Sequence, residues 1–502
     1  MLLDDRQCYQ ALRTHDSRFD GRFFVGVATT GIYCRPVCSA RTPNRGNCRF
    51  FPSAAAAEAG GFRPCLRCRP ELAPGYASVD ANRRLAQAAA GLIEDGRLAD
   101  VRLPDVADAL GVTDRHLRRV FQQEFGVAPV EYAQTQRLLL AKRLLTDTDM
   151  AVLDVAMASG FASLRRFNDL FRTRYRMTPA ELRRNAPARR PSDRLTFDLA
   201  YRPPYDWSAM LAFLERRAIA GVEWVDGGAY LRTVRLVRLG PRRHGGDAAE
   251  ELGPRRHGGD AAERSRVGWI SVAPSKRRSA LRVDVSASLA GAIPQLLARV
   301  KHLFDLACHP EEISAALGAL AVDHPGLRLP GAIDGFEVAV RAILGQQVTV
   351  KAASTLAARF VHAFGEPFAT PHAGLNALFP AAATVAGRDP SDIARLGIIA
   401  GRARAIVALA REVAAGNITL EPTAPVEATV AALEALPGVG PWTAQYIAMR
   451  ALAWPDAFPH PDVAVLRAMR QRAPARALQD AAAWRPWRAY AVLHLWKSLE
   501  AS

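Results

Sequence analysis

Neither a membrane anchor nor a disulfide framework is written into this chain. No uninterrupted apolar run is long enough to span a bilayer, and Met1-Leu2-Leu3-Asp4-Asp5-Arg6 lacks the basic and apolar regions of a secretory signal. The expected compartment is therefore the cytosol, with no membrane partner. Cysteine is scarce, at seven in 502 residues. Four of the seven fall in two short-spaced pairs, which in a reducing compartment points to metal rather than disulfides. Acidic residues are outnumbered 49 to 66 by Lys and Arg, a formal net charge of +17. That balance suits a polyanionic partner, although a solvated arginine-rich surface would produce it too. The length exceeds what one core supports and implies about three or four domains.

Composition shifts divide the chain. Residues 1–77 hold six of the cysteines with Gly and Pro punctuation and short apolar runs such as Phe23-Phe24-Val25-Gly26-Val27, a small mixed α/β domain with too modest a core to stand unaided. Residues 78–186 carry apolar residues at spacings of three and four, an all-α pattern. An arginine-rich, proline-broken stretch, 183–190, reads as a linker. Residues 192–312 open on alternating Leu195, Phe197, Leu199 and Tyr201, with further strand patterns from Tyr230 and Leu281, an α+β domain. Inside it Leu239–Glu250 recurs as Leu252–Glu263, a duplication without apolar periodicity that reads as a surface loop. Residues 313–502 are Ala-rich and helical with little strand signal.

Cys34-Arg-Pro-Val-Cys38 and Cys65-Leu-Arg-Cys68 supply four thiolates, the donor set of a tetrahedral Zn(II), one per chain. By itself such a site reads first as a purely structural zinc that stabilises a small fold. The surrounding residues, Thr29-Thr-Gly-Ile-Tyr-Cys34-Arg-Pro-Val-Cys38 and Gly61-Phe-Arg-Pro-Cys65-Leu-Arg-Cys68-Arg-Pro, closely resemble the amino-terminal domain of the Ada family of adaptive-response regulators over residues 3–75. The resemblance implies that Cys34 accepts a methyl group from a DNA methylphosphotriester while Cys38, Cys65 and Cys68 complete the zinc shell. Zinc keeps a thiolate ionised, and Arg35, Arg41, Arg45, Arg63 and Arg67 are placed to hold the DNA backbone. Methylation would take the site's formal charge from about −2 to about −1 and weaken its repulsion of phosphates. Cys8 and Cys48 lie outside the spacing and read as ordinary thiols.

Leu103–Phe121 reads as a short helix, a glycine turn at Gly111 and a second helix capped near Thr113 or Asp114. A second copy runs Leu153–Phe171 with its turn at Gly160. The tandem is similar to the AraC-type helix-turn-helix domain, which also follows the zinc domain in Ada. Candidates for base or phosphate contact are Arg115, His116, Arg118 and Arg119 in the first reading helix and Ser163, Arg165, Arg166 and Asn168 in the second. Leu117, Val120, Phe121, Leu164, Phe167 and Leu170 share the apolar stripe and read as core. The resemblance implies double-stranded promoter DNA, and RNA polymerase for activation, as partners.

Leu436-Pro-Gly438-Val-Gly440-Pro-Trp442 fits a helix-hairpin-helix, whose glycine turn lets backbone N–H groups approach a phosphate. Alone it would be a non-enzymatic clamp. With Asp462 twenty-two residues after Gly440, it carries the signature of helix-hairpin-helix glycosylases. Tyr201-Arg-Pro-Pro-Tyr-Asp-Trp-Ser208, Arg341-Ala-Ile-Leu-Gly-Gln346 and Trp487–Trp496 extend a resemblance to AlkA-type 3-methyladenine DNA glycosylases over residues 195–499. The resemblance implies that Asp462 is the catalytic carboxylate and that Trp442, Tyr446 and Trp496 wall a pocket for a flipped alkylated base. A cationic purine is already a good leaving group and stacks on electron-rich rings, so one carboxylate opposite the developing sugar cation suffices. Bifunctional relatives carry lysine where Trp442 stands, so no lyase step is expected. With Cys308 the only cysteine after Cys68, an iron-sulfur cluster is not expected. Gln347 occupies the position of an apolar wedge in AlkA-type proteins, and His460 and Pro461 also depart from their pattern. No Pro-Cys-His-Arg motif of O6-alkylguanine methyltransferases is present, and Cys308-His309-Pro310 is no substitute. Two functions compete on these grounds: a sensor, activator and glycosylase in one chain, and a sensor-activator whose glycosylase half only binds DNA.

Overall fold

A computed structural model describes residues 5–15, 19–21, 23–70, 81–94, 103–185, 194–237, 265–276 and 278–500. The duplicated segment 239–263 lies outside the described residues, as does most of the expected linker. The linker's first residues instead finish a helix, Pro179–Arg184, begun by a capping box between Thr178 and Glu181.

The amino-terminal unit is a four-stranded sheet. Phe24–Val27 pairs antiparallel with Ile32–Cys34 and with Cys48–Phe51, while Arg63–Pro64 lies parallel to Ile32–Cys34 on the far side. The return between the first two strands needs Gly31, at φ +64. Val25 sits opposite Cys34, so the first cysteine pair begins where a strand ends. The short helix Ala54–Ala59, capped by Ser53, is buried on nearly every side because alanine allows close approach.

The helical unit follows the pattern of two helix-turn-helix copies. Its first reading helix, Asp114–Phe125, is capped by Thr113 Oγ1 accepting from His116 N and ends at the left-handed Gly126. Its second, Leu164–Tyr175, is capped by Ser163 Oγ accepting from Arg166 N. The 19-residue helix Pro129–Asp147 joins the copies. Leu117, Val120, Phe121 and Phe167 are buried, and Leu164 and Leu170 pack half-buried against the core.

The third unit is a five-stranded antiparallel sheet in the order Arg194–Ala200, Ala280–Ser286, Ser265–Pro274, Ala229–Val237, Glu223–Asp226. Leu195, Phe197 and Leu199 point inward, as strand periodicity requires. The rest is helical except for a two-residue pairing, Glu366–Pro367 with Ala377–Leu378. Sheet and helices are stitched together by buried charge: Arg232 to Glu337 at 2.6 Å, and Arg341 to Glu223 at 2.7 Å and to Glu337 at 2.8 Å. Each carboxylate is met by guanidinium donors, the condition under which buried ions are tolerated. The architecture is thus a small α/β sheet, an all-α helix-turn-helix pair, an α+β unit and an all-α helix-hairpin-helix unit.

Candidate functional site

Three sets of side chains come together. In the first, the sulfurs of Cys34, Cys38, Cys65 and Cys68 all lie within 4.8 Å of one another. Cys38 and Cys65 are buried, while Cys34 and Cys68 are half-buried. Hydrogen bonding from Cys34 pulls the Cys38 thiol down to about 7 and Cys65 lower still, whereas Cys38 pushes Cys34 up and Cys34 pushes Cys68 up. Four sulfurs this close cannot all be thiolates unless a cation sits among them, which the donor set and spacing of Zn(II) satisfy. Backbone support comes from Arg35 N, which donates to Cys68 Sγ at 3.3 Å.

Arg35 itself departs from expectation. Its side chain is buried, paired with Asp20 through two nitrogens and donating to the Cys68 carbonyl. It braces the zinc loop rather than meeting solvent, a role that Asp20, fourteen residues before Cys34, did not announce. Arg41, Arg45 and Arg67 are exposed and Arg63 is half-buried on the same unit.

On the reading helices Arg115, Arg118, Arg119, Arg165 and Arg166 are exposed, with His116 and Asn168 half-buried. Arg118 is paired along the helix with Asp114 at 2.9 Å, and Arg119 with His116 at 3.1 Å. Ser163 is exposed, but its hydroxyl already caps a helix.

The helix-hairpin-helix runs Val426–Glu434, a turn with Gly438 at φ +80, and Pro441–Arg450. Gly438 and Gly440 are exposed. The loop holding Gln347 is fastened to this turn: Gln346 Nε2 donates to the Gly438 carbonyl and to Thr443 Oγ1, both at 2.9 Å, and Arg402 holds the Gln346 carbonyl. Gln347 is exposed with φ +53, a conformation that costs a non-glycine residue on the order of 1 kcal/mol and that the surrounding bonds must maintain.

Asp462 caps the helix Val463–Ala468, its Oδ1 accepting from Val465 N at 2.9 Å. The same carboxylate meets both indoles, Trp442 Nε1 at 2.8 Å on Oδ2 and Trp496 Nε1 at 3.2 Å on Oδ1. Trp442 stacks on Tyr446, centroids 5.3 Å apart and planes 17° apart, and Tyr446 faces Trp496 at 6.4 Å. Two indoles thus hold one oriented anion, with the Tyr446 ring packed against both of them. Sequence reasoning missed Arg450, which donates to Tyr446 Oη at 3.0 Å, and Arg217, which approaches the same hydroxyl. Neither stands in a motif, and Arg217 lies more than 200 residues from Tyr446. Cys308 is fully buried, its thiol pushed up to about 12 by desolvation, and belongs to no such cluster.

Together these features define a DNA-acting protein that couples a zinc-thiolate centre and paired helix-turn-helix units to a helix-hairpin-helix glycosylase. Family models agree: the metal binding domain of Ada matches residues 7–71, a helix-turn-helix domain 106–185, the AlkA N-terminal domain 196–334, and the HhH-GPD superfamily of base excision DNA repair proteins 340–482. A probable bifunctional transcriptional activator/DNA repair enzyme AlkA of Mycobacterium tuberculosis is 39% identical over 99% of this chain and 97% of its own length. DNA-3-methyladenine glycosylase 2 of Escherichia coli is 35% identical over 60% of this chain and 96% of its own. The bifunctional activator/repair enzyme Ada of the same organism is 37% identical over 28% of this chain and 38% of its own. The chain belongs to the family of bifunctional transcriptional activator/DNA repair enzymes. Among the described residues no helix is long and apolar enough to cross a membrane.

Proposed function

We propose that this chain takes a methyl group from a DNA methylphosphotriester onto Cys34, reads promoter DNA through its two helix-turn-helix copies, and excises cationic alkylated purines such as 3-methyladenine and 7-methylguanine by simple hydrolysis. The division into working domains falls near residues 77, 186 and 312. The zinc unit holds one Zn(II), which keeps the sulfurs ionised. The Cys34 sulfur forms the new S–CH3 bond as the phosphate oxygen gives up the methyl and leaves as an ordinary diester anion. Its place as the first cysteine of the motif supports its choice as acceptor; Cys34 and Cys68 are the two half-buried members of the set. Transfer is stoichiometric, since the thioether formed on Cys34 has a stable C–S bond and does not pass the methyl on. Arg41, Arg45, Arg63 and Arg67 bind the backbone, and the loss of one negative charge at the zinc site tightens promoter binding and so recruits RNA polymerase in the cytoplasm.

In the glycosylase half, the hairpin at Gly438 and Gly440 grips a phosphate, Gln347 enters the space vacated by the flipped base, and the base stacks among Trp442, Tyr446 and Trp496. Asp462 stabilises the oxocarbenium-like sugar and guides water to it; with Trp442 where a lysine would stand, an abasic site is the product. No iron-sulfur cluster takes part. The observation that carries the reading is the Asp462 carboxylate, fixed by a helix N-terminus and two indole N–H groups beside a stacked tyrosine. Incubation with methylated duplex DNA tests it: released methylpurines and one protein-bound methyl per chain are expected, and a chain that binds this DNA but releases no base overturns the enzymatic reading.

A further inference from the structure

The stack of Trp442 and Tyr446 has a negative end and a positive end. Asp462 holds the Trp442 indole, and at the far side the Tyr446 hydroxyl receives Arg450 Nη1 at 3.0 Å. Arg450 is buried, and its three hydrogen bonds go to oxygens without formal charge: Tyr446 Oη, the Pro330 carbonyl at 2.8 Å and the Gly331 carbonyl at 3.0 Å. Those carbonyls fix the guanidinium, so it cannot swing away to find a carboxylate. Arg217 lies on the Phe213 ring at 3.7 Å and donates to the Phe213 carbonyl, and its charge acts on the Tyr446 hydroxyl. Arg341 faces the same region, but it is neutralised by Glu223 and Glu337. His302, beside Arg450, is held neutral because burial pushes its pKa down to about 4. Trp496 brings only its ring. A buried cation, Arg450, and a half-buried one, Arg217, therefore act on one phenol, and a buried cation without an anion is costly. Ionising that phenol would supply the anion.

We propose that Tyr446 is the pocket's discriminator between cationic and neutral bases: held between Arg450 and Arg217, its hydroxyl passes its proton to bulk water as a positively charged base stacks on the ring, so that a phenolate faces the charge. This rests on the reading of the pocket as a glycosylase site and adds to it an ionisable selector with two positioning arginines. A phenolate ring offers a far more negative face than a phenol, and a cationic base repays it where a neutral base does not. Burial alone would push the Tyr446 hydroxyl up; Arg450 and Arg217 outweigh that and bring it down to about 8. The phenolate thus lies within reach of physiological pH.

The test compares kcat/KM for 3-methyladenine, from freshly methylated duplex DNA, with that for hypoxanthine between about pH 6 and pH 8.5, since kcat/KM reports the free enzyme's ionisations. The 3-methyladenine to hypoxanthine ratio of the full chain should rise roughly tenfold or more across that range, following the fraction of phenolate. Tyr446→Phe keeps the stacked ring, and its circular dichroism and thermal melting check that it folds; its ratio should be low and flat. Arg217→Gln should move the rise to higher pH, and ultraviolet difference absorbance should follow the same phenolate directly, disappearing in Tyr446→Phe. A ratio that still rises in Tyr446→Phe, or a profile unmoved by Arg217→Gln, overturns the proposal. Release of neither base, or full activity in Asp462→Asn, overturns the glycosylase reading instead, and the absorbance titration still decides whether Tyr446 ionises.

Discussion

Replacing Asp462 by asparagine separates the two tasks of one carboxylate. Its Oδ1 accepts from Val465 N at 2.9 Å and Trp496 Nε1 at 3.2 Å, and its Oδ2 from Trp442 Nε1 at 2.8 Å. Asparagine has one oxygen to offer. Turned toward Val465 it preserves the cap, because asparagine and aspartate cap helices about equally well, but it leaves an amide N–H2 facing the Trp442 N–H. Two donors then oppose each other, and an unsatisfied buried donor costs about 1–3 kcal/mol, here at the low end because Asp462 is half-buried. Thermal unfolding of the glycosylase half should therefore fall by only a few degrees, at about 2–4 °C per kcal/mol for a domain of this size. The chemical step loses more. Removing one preorganised group opposite a developing charge costs about 3–4 kcal/mol, or 10²–10³ in rate. Single-turnover release of 3-methyladenine, measured beside duplex binding and melting, should show the rate falling by that factor with DNA affinity changed only a few-fold. Wild-type excision by Asp462→Asn would refute the mechanism and favour a glycosylase half that only binds DNA.

Cys38→Ala, Cys65→Ala or Cys68→Ala should lose the zinc and melt the amino-terminal sheet, since metal binding supplies on the order of 10 kcal/mol to such units; elemental analysis finding no zinc in the wild-type chain would contradict this. Peptide mass mapping after reaction with phosphotriester DNA should place one methyl on Cys34, and a methyl on Cys8 or Cys48 would refute the assignment. Glu58 is buried, its carboxyl raised by desolvation from the usual 4.5 to about 7 while it accepts from Tyr33 and Thr135, both at 3.0 Å. The folded protein favours the protonated form, so this contribution, on the order of 3 kcal/mol, is complete below about pH 4.5 and lost as pH rises to about 7. Denaturant titrations should show that slope in the wild type and not in Glu58→Gln; equal slopes would refute it.

The architecture was legible because its signals are local. Cys34, Cys38, Cys65 and Cys68 are separated by ligand spacings, and the reading helices carry their own caps at Thr113 and Ser163. Asp462 stands a fixed step from a glycine hairpin. What could not be read depends on distant partners. The expectation that Arg35 faces DNA rested on its place between two cysteines; its burial follows from Asp20, and nothing in the motif distinguishes a bracing arginine from a binding one. Ser163 fits both a cap and a DNA contact by type, and only the helix start shows that its oxygen is engaged. Arg217 comes to Tyr446 from more than 200 residues away, while Arg450 stands one turn on along the same helix, and each reads from the sequence as one more basic residue in a basic chain.

The same distinction bears on why these units share a chain. Leu138, Leu144 and Leu145 of the helix Pro129–Asp147 belong to the same apolar core as Leu195, Phe197 and Leu199 of the glycosylase sheet. Arg143 lies on the Phe197 ring at 4.4 Å and donates to the Asp198 carbonyl at 3.0 Å. One helical turn on, Asp147 accepts from Arg69, the residue after the last zinc-site cysteine. The helix that joins the two DNA-reading copies therefore touches the zinc loop through Asp147 and the glycosylase through Arg143 and three leucines. A flexible tether would let each unit engage DNA at its own angle. A shared core excludes that freedom, because parting the units would expose Leu138, Leu144 and Phe197 to water at about 1.5–3 kcal/mol for each large side chain. The carboxylate that receives Arg69 thus stands on a helix whose leucines already belong to the glycosylase core.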